Sequence, residues 1–182
     1  MKINKLIVPV AAVALALTVG TASAQVIGPR VALQFATNGL TSPLSANSSN
    51  SVIARLLLDT TGSTEAVRLN SLPFNLITGS GARADSLRNC RVYNESDVNT
   101  ALNSSSSSNS MFNGVNSITF NSPLILPAGT LTTVSLRCDV DNTLVSGGTY
   151  TINMDTSNVV ASGASTGIPA AVTIRGSVVV PP

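Results

Sequence analysis

Residues 118–140, ITFNSPLILPAGTLTTVSLRCDV, decide the fold class of this chain. Ile118 and Phe120 alternate with Thr119 and Asn121, the period-2 signature of a half-buried strand. Pro123, Pro127 and Gly129 then break the pattern where a turn needs fixed or permissive backbone. From Leu131 the alternation resumes through Val134, Leu136 and Cys138, with Thr132 and Thr133 shifting the phase as a bulge would. The stretch predicts a central hairpin of strand, turn and strand, with Cys138 buried near its end.

Upstream, residues 25–36 read QVIGPRVALQFA, placing Ile27, Val31, Leu33 and Phe35 on one face with Pro29 completing the series. Proline inside a strand points to an edge or an irregular start. Residues 37–50 form a Ser/Asn/Thr-rich spacer, with a reach of about 46 Å when extended. From Ser51 onward a strand is expected over 52–59 and a polar turn over 60–63. A longer strand over 65–78 carries Pro73, which signals a bend or strand switch. Residues 87–93 carry Cys90, and residues 94–113 are a polar excursion containing the run Ser104–Ser108, with one short helical turn at Val98, Ala101 and Leu102. Residues 149–155 alternate Tyr150, Ile152 and Met154, and residues 170–180 make a final strand with a bulge at Gly176. Seven or eight short strands with frequent turn signals and no helical period predict an all-β, sandwich-type fold. The expected organisation is a leader over 1–24, an N-terminal strand on a long spacer over 25–50, and one β-sandwich domain over 51–182.

The leader is expected from Lys2 and Lys5, the apolar run 6–19 and the Ala22-Ser23-Ala24 cleavage site. That run is shorter than the ~20 apolar residues of a membrane span, and Gln25 is not the cysteine a lipoprotein needs. A secreted chain, with no membrane attachment after cleavage, is the expectation. Cleavage would remove both lysines, leaving eight arginines against eight carboxylates and a net charge of zero. Without a basic patch there is no electrostatic reason to bind nucleic acid. Residues 25–182 suit one domain that buries roughly 70% of its unfolded surface. Ser, Thr, Asn and Gly stand where charges usually do, a surface compatible with close packing against copies of itself.

Chemistry is restricted by what the chain lacks. Without histidine no Ser-His-Asp or Cys-His constellation is possible, and without lysine beyond the leader neither a Ser-Lys dyad nor a Lys–Asn isopeptide bond can form. No catalytic residues are therefore expected. Cys90 and Cys138, the only cysteines of an exported chain, are most simply a disulfide, and lack the C-x-x-C spacing of a redox pair. Asp139 and Asp141 lie two apart and face one side of a regular strand. With Asn142 they offer weak Ca²⁺ candidates, or an acid/base pair, against the plainer reading of a solvated strand end. Leu144 stands where a calcium loop would place glycine, and no other cofactor is expected. For carbohydrate, tryptophan is absent and Phe112 is the one aromatic with a chance of exposure, against the commoner role of pinning a loop to the core. The triplets at Asn47, Asn94 and Asn103 permit glycosylation.

The segments ARLLLDTTGSTEAVRLNSLPFNL (54–76), LRNCRVY (87–93) and the opening stretch, with its P-x-G-T turn and long strand ending near an aspartate, resemble the immunoglobulin-like domains of bacterial cell-surface and appendage proteins, including fibre-forming ones. The resemblance spans roughly residues 51–155 and consists of packing and turn motifs. It implies an immunoglobulin-like or jelly-roll-type sandwich engaged in extracellular adhesion, scaffolding or fibre formation, and it supplies no catalytic residues. The expected function is a secreted structural subunit of a cell-surface layer or filament whose main partner is its own copies. Ile27, Val31, Leu33 and Phe35 are its candidate donor strand, fitted to a groove between a neighbour's sheets. The alternative is a secreted adhesin, or a module binding glycan or Ca²⁺ at the cell surface.

Overall fold

The computed structural model describes residues 28–36, 43–104 and 110–180. The expected leader, Ile27, the first part of the spacer and most of the serine run lie outside the described residues. Eleven strands form among them: β1 (Arg30–Phe35), β2 (Ser51–Asp59), β3 (Val67–Gly79), β4 (Leu87–Asn94), β5 (Asp97–Ala101), β6 (Gly114–Leu126), β7 (Leu131–Val140), β8 (Thr149–Asn153), β9 (Ala161–Gly163), β10 (Ala171–Arg175) and β11 (Val178–Val180). One sheet has the order β10-β1-β2-β7-β4-β5; the other has the order β11-β8-β3-β6, with β9 paired to β3. The molecule is an all-β sandwich of the immunoglobulin-like or jelly-roll type, with more strands than the seven or eight expected.

Alternation, interrupted by bulges in β2 and β3, builds the core from both sheets. Val134, Leu136, Cys138 and Val140 of β7 and Leu56 and Leu58 of β2 face Leu69, Leu72, Phe74 and Leu76 of β3 and Tyr150 and Ile152 of β8, all buried. In β2 a register irregularity between Val52 and Ala54 puts both Ile53 and Ala54 inside.

The opening stretch is not a hairpin. β6 is an edge of one sheet and β7 is central in the other, so the turn between them is an arch that crosses the core. Each strand has an apolar face toward the same interior, which is the pattern a hairpin would also show. No phase shift occurs at Thr132 and Thr133: Leu131 to Val134 pair in continuous register with Asp59 to Leu56. Leu131 belongs to the outer face and is 59% exposed.

Two further expectations change for related reasons. The last predicted strand is two, β10 in the first sheet and β11 in the second, and Gly176 with φ 78° is the corner between them. The predicted helical turn at Val98, Ala101 and Leu102 is replaced by β5, paired antiparallel to β4. Pro73 does mark a strand switch. On one flank β3 pairs β9 through Val67–Leu69 and β8 through Asn75–Gly79, so Pro73, which has no N–H to donate, lies in the gap between partners.

β1 lies antiparallel to β2 and parallel to β10. Val31, Leu33 and Phe35 are 1%, 0% and 2% exposed, so in the single chain they fill the core of their own sandwich.

Candidate functional site

The charges of the sandwich are divided unevenly between its faces. Among strands β3, β6, β8, β9 and β11, Arg68 is the one charged residue. The six-stranded sheet carries the rest of the strand charges, concentrated where β2, β7 and β4 lie side by side.

Cys90 and Cys138 are bonded there, with both side chains buried. The bond joins neighbouring strands of one sheet. Arg88 pairs with Asp139 and Arg91 with Arg137, so Asn89 and Cys90 together oppose Cys138. Asn89 takes φ 49°, a left-handed conformation that asparagine tolerates better than most residues. This bulge turns Cys90 inward and sends Arg91 to the outer face.

The predicted acidic pair sits at the end of β7, and each carboxylate has intramolecular partners. Asp139 accepts from the Asn50 backbone N–H at 3.0 Å and from Asn89 Nδ2 at 2.8 Å. Asp141 pairs with Arg88 at 2.9 Å and accepts from the Thr143 N–H at 3.1 Å. Both line one shallow depression with Asn47, Ser48 and Arg88, in which Arg88 supplies the positive charge. Asn142 is exposed beside them. No cluster of three or more His, Cys, Asp or Glu suited to a metal occurs among the described residues.

Further along the same face, Glu95 from the β4–β5 turn reaches back over the sheet. Arg137 Nη2 donates to it at 3.0 Å, Arg55 lies at 3.9 Å, and Arg137 Nε donates to Ser135 Oγ at 3.0 Å. The Arg137 guanidinium lies 5.2 Å from the centre of the Tyr93 ring. Burial opposes the charge on Glu95, but hydrogen bonds from Ser135 and Arg137 and the charges of Arg137 and Arg55 outweigh it and hold the carboxyl below its usual range. Asp59, Glu65, Asp85 and Asp155 are lowered too, by hydrogen bonds from Thr61, Thr166, Arg83 and Ser157 respectively. Lowered carboxyls are poor proton donors and weak bases at neutral pH.

Several structural polar residues escaped the sequence reading. Thr60 is fully buried; its hydroxyl donates to Pro127 O at 2.6 Å and its N–H to Thr130 O at 2.9 Å, clamping the arch. Asn103, within the polar excursion, is 4% exposed and accepts from the Val92 N–H while donating to Cys90 O. That burial also removes its triplet from glycosylation while the fold is intact. No local signal distinguishes Asn103 from its exposed neighbours; only its distance from β4 does. Phe112 is 58% exposed and does not pin its loop to the core.

No protein-family model matches the chain. No curated protein sequence matches it either. Among solved structures it is similar to the seventh ScaB type I cohesin from Pseudobacteroides cellulosolvens, at 14% identity and TM-score 0.39, over 83% of this chain and 92% of that one. A likeness of that size carries no argument about function.

Proposed function

We propose that this chain is a secreted structural subunit of a cell-surface layer or extracellular filament, released from its leader after Ala24, and that its principal partner is its own copies. The observation that carries the reading is the outer face of the β11-β8-β3-β6 sheet. Val179 and Ile77 flank Thr151, and Val115 lies beside Asn75 and Asn153 in the adjoining row. Ile77, Val115, Ile125 and Val179 are 50%, 45%, 46% and 56% exposed, with Ser, Thr and Asn between them. A broad apolar and hydroxyl surface holding one arginine has little to repel an identical surface and much to gain from leaving water. The engaged carboxylates and the absence of histidine favour a non-enzymatic role.

Exchange of β1 between neighbours is one route to such assembly. A neighbour's Val31, Leu33 and Phe35 would take the place of the chain's own, with the spacer as the link, although its later part is held on its own body, where Leu44 is buried and Ser48 O accepts from the Val140 N–H. Because Ala32 pairs with Asp59 across β1 and β2, mixed Ala32→Cys and Asp59→Cys chains refolded together would form intermolecular disulfides if β1 exchanges, and none if it stays at home. The assembly itself is tested by sedimentation and electron microscopy of protein beginning at Gln25. Concentration-dependent oligomers that are lost in Ile77→Lys/Val115→Lys, with unchanged thermal unfolding, are expected. A monomer at all concentrations overturns the proposal.

A further inference from the structure

On the opposite sheet the central strands bring two cations together. Arg91 and Arg137 are directly paired across β4 and β7, and like charges in that position repel. Arg137 is answered by Glu95 and lies over Tyr93. Arg91 makes no hydrogen bond or ion pair with any described residue, and its Nε is buried. Nε is closed off from solvent, so an anion would meet this guanidinium through its Nη groups.

Arg91 lines a cavity of about 120 Å³ together with Asn50, Asn89, Tyr93, Arg137 and Asp139. The cavity is therefore lined by the guanidinium of Arg91, which has no described partner, and, two residues along β7 from Arg137, by the carboxylate of Asp139. Asp139 has two donors already, Asn50 N–H and Asn89 Nδ2, which fix its position. Its remaining lone pairs can accept from hydroxyl groups. Space of this size admits a few heavy atoms, about a carboxylate and the adjoining carbinols. A dianionic phosphate would suit the guanidinium but would be repelled by Asp139. A singly charged carboxylate flanked by hydroxyls satisfies both groups at once, by a two-point Arg fork and by donation to Asp139.

We infer that this cavity is a binding site for an acidic sugar of the uronic-acid class, its carboxylate on Arg91 and its hydroxyls on Asp139. The site rests on the cavity alone and stands whether or not the chain assembles. In a protein of the cell surface it would tie the sandwich to an acidic polysaccharide through the face opposite the one that holds only Arg68.

The test is titration of the full mature protein, followed by amide NMR shifts and calorimetry, with glucuronate and its oligomers, glucose oligomers, acetate and inorganic phosphate as separate probes. Glucuronate oligomers should bind, moving the Asn50, Asn89 and Arg91 amides, with glucose oligomers and acetate at least about tenfold weaker. Arg91→Gln should weaken glucuronate binding by about tenfold or more while the thermal unfolding curve and disulfide stay intact, and Arg91→Lys should recover part of it. No binding, binding unchanged in Arg91→Gln, acetate equal to glucuronate, or phosphate tighter than glucuronate would each overturn the assignment.

Discussion

Thr60 is a small residue with a large structural task. Its hydroxyl and backbone hold both ends of the turn 127–130 at the arch between the sheets. Thr60→Val keeps the shape but removes one of the two donors on each of the Pro127 and Thr130 carbonyls, which keep the Thr130 hydroxyl and the Thr60 N–H respectively, so a loss of about 0.5–1.5 kcal/mol is expected in urea unfolding. Thr60→Ser should recover most of it; equal stability of the valine variant would deny the clamp. Cys138→Ser removes a bond across a sequence separation of 48, worth about 4 kcal/mol in the chain-entropy model. Non-reducing mass spectrometry of secreted protein should find Cys90 joined to Cys138. Glu95 sets a pH dependence. Its folded pKa lies below the ordinary value of 4.5, so its contribution is complete above that value and is lost as pH falls through the folded pKa. With no histidine in the chain, the thermal midpoint should be flat from about pH 6 to 8 and fall in acid. Glu95→Gln should flatten part of the acid limb.

At the scale of elements, the corners matter more than the strands. Gly176 sits between β10 and β11 with φ 78°, where a Cβ strains the backbone. Gly176→Ala is expected to cost about 1–2 kcal/mol, read in the same unfolding assay, whereas an equal substitution at an extended position would be nearly neutral. β1 is held on both sides, by β2 and by β10, and its three inward side chains are in the core. Leu33→Ala should therefore destabilise by about 2–5 kcal/mol. A loss far below that range would mean that β1 adds little to its own sandwich, the condition under which exchange is easiest. The β4 bulge is the other decisive element, since it orients the disulfide inward and Arg91 outward in consecutive residues.

The whole molecule has two dissimilar faces. One sheet has a single strand charge, Arg68, and exposes aliphatic and hydroxyl side chains; the other gathers arginines and carboxylates, with an engaged cluster around Glu95 and, beside it, the Arg91 guanidinium. In the proposed assembly with the inferred site, copies would pack on one side and a polar, acidic ligand would bind on the other. The two uses are separable. Ile77→Lys/Val115→Lys should abolish assembly and spare glucuronate binding, and Arg91→Gln should do the reverse, as read by sedimentation and calorimetry on the same preparations.

Much of this was legible in the chain. Period-2 alternation announced an all-β fold and told which side chains face inward: Ile118 and Phe120 in one strand, Val134, Leu136 and Cys138 in the next, Val31, Leu33 and Phe35 at the start. The pairing of Cys90 with Cys138 followed from there being no other cysteine. Alternation reports inside against outside and nothing more. Two sheets facing one core give identical patterns, so whether β6 and β7 share a sheet, or where residues 170–180 cross from one sheet to the other, depends on ladders to residues far away. The same holds for the candidate site. Arg91 and Arg137 lie 46 positions apart in sequence and become neighbours only because two residues of β4 oppose one of β7. Asn103 and Thr60 looked like loop polar residues until burial made their hydrogen bonds obligatory. Local side-chain chemistry determined the class of fold and its covalent staple; register and sheet assignment, which are set by long-range packing, decided everything about where a ligand or a neighbour would meet it.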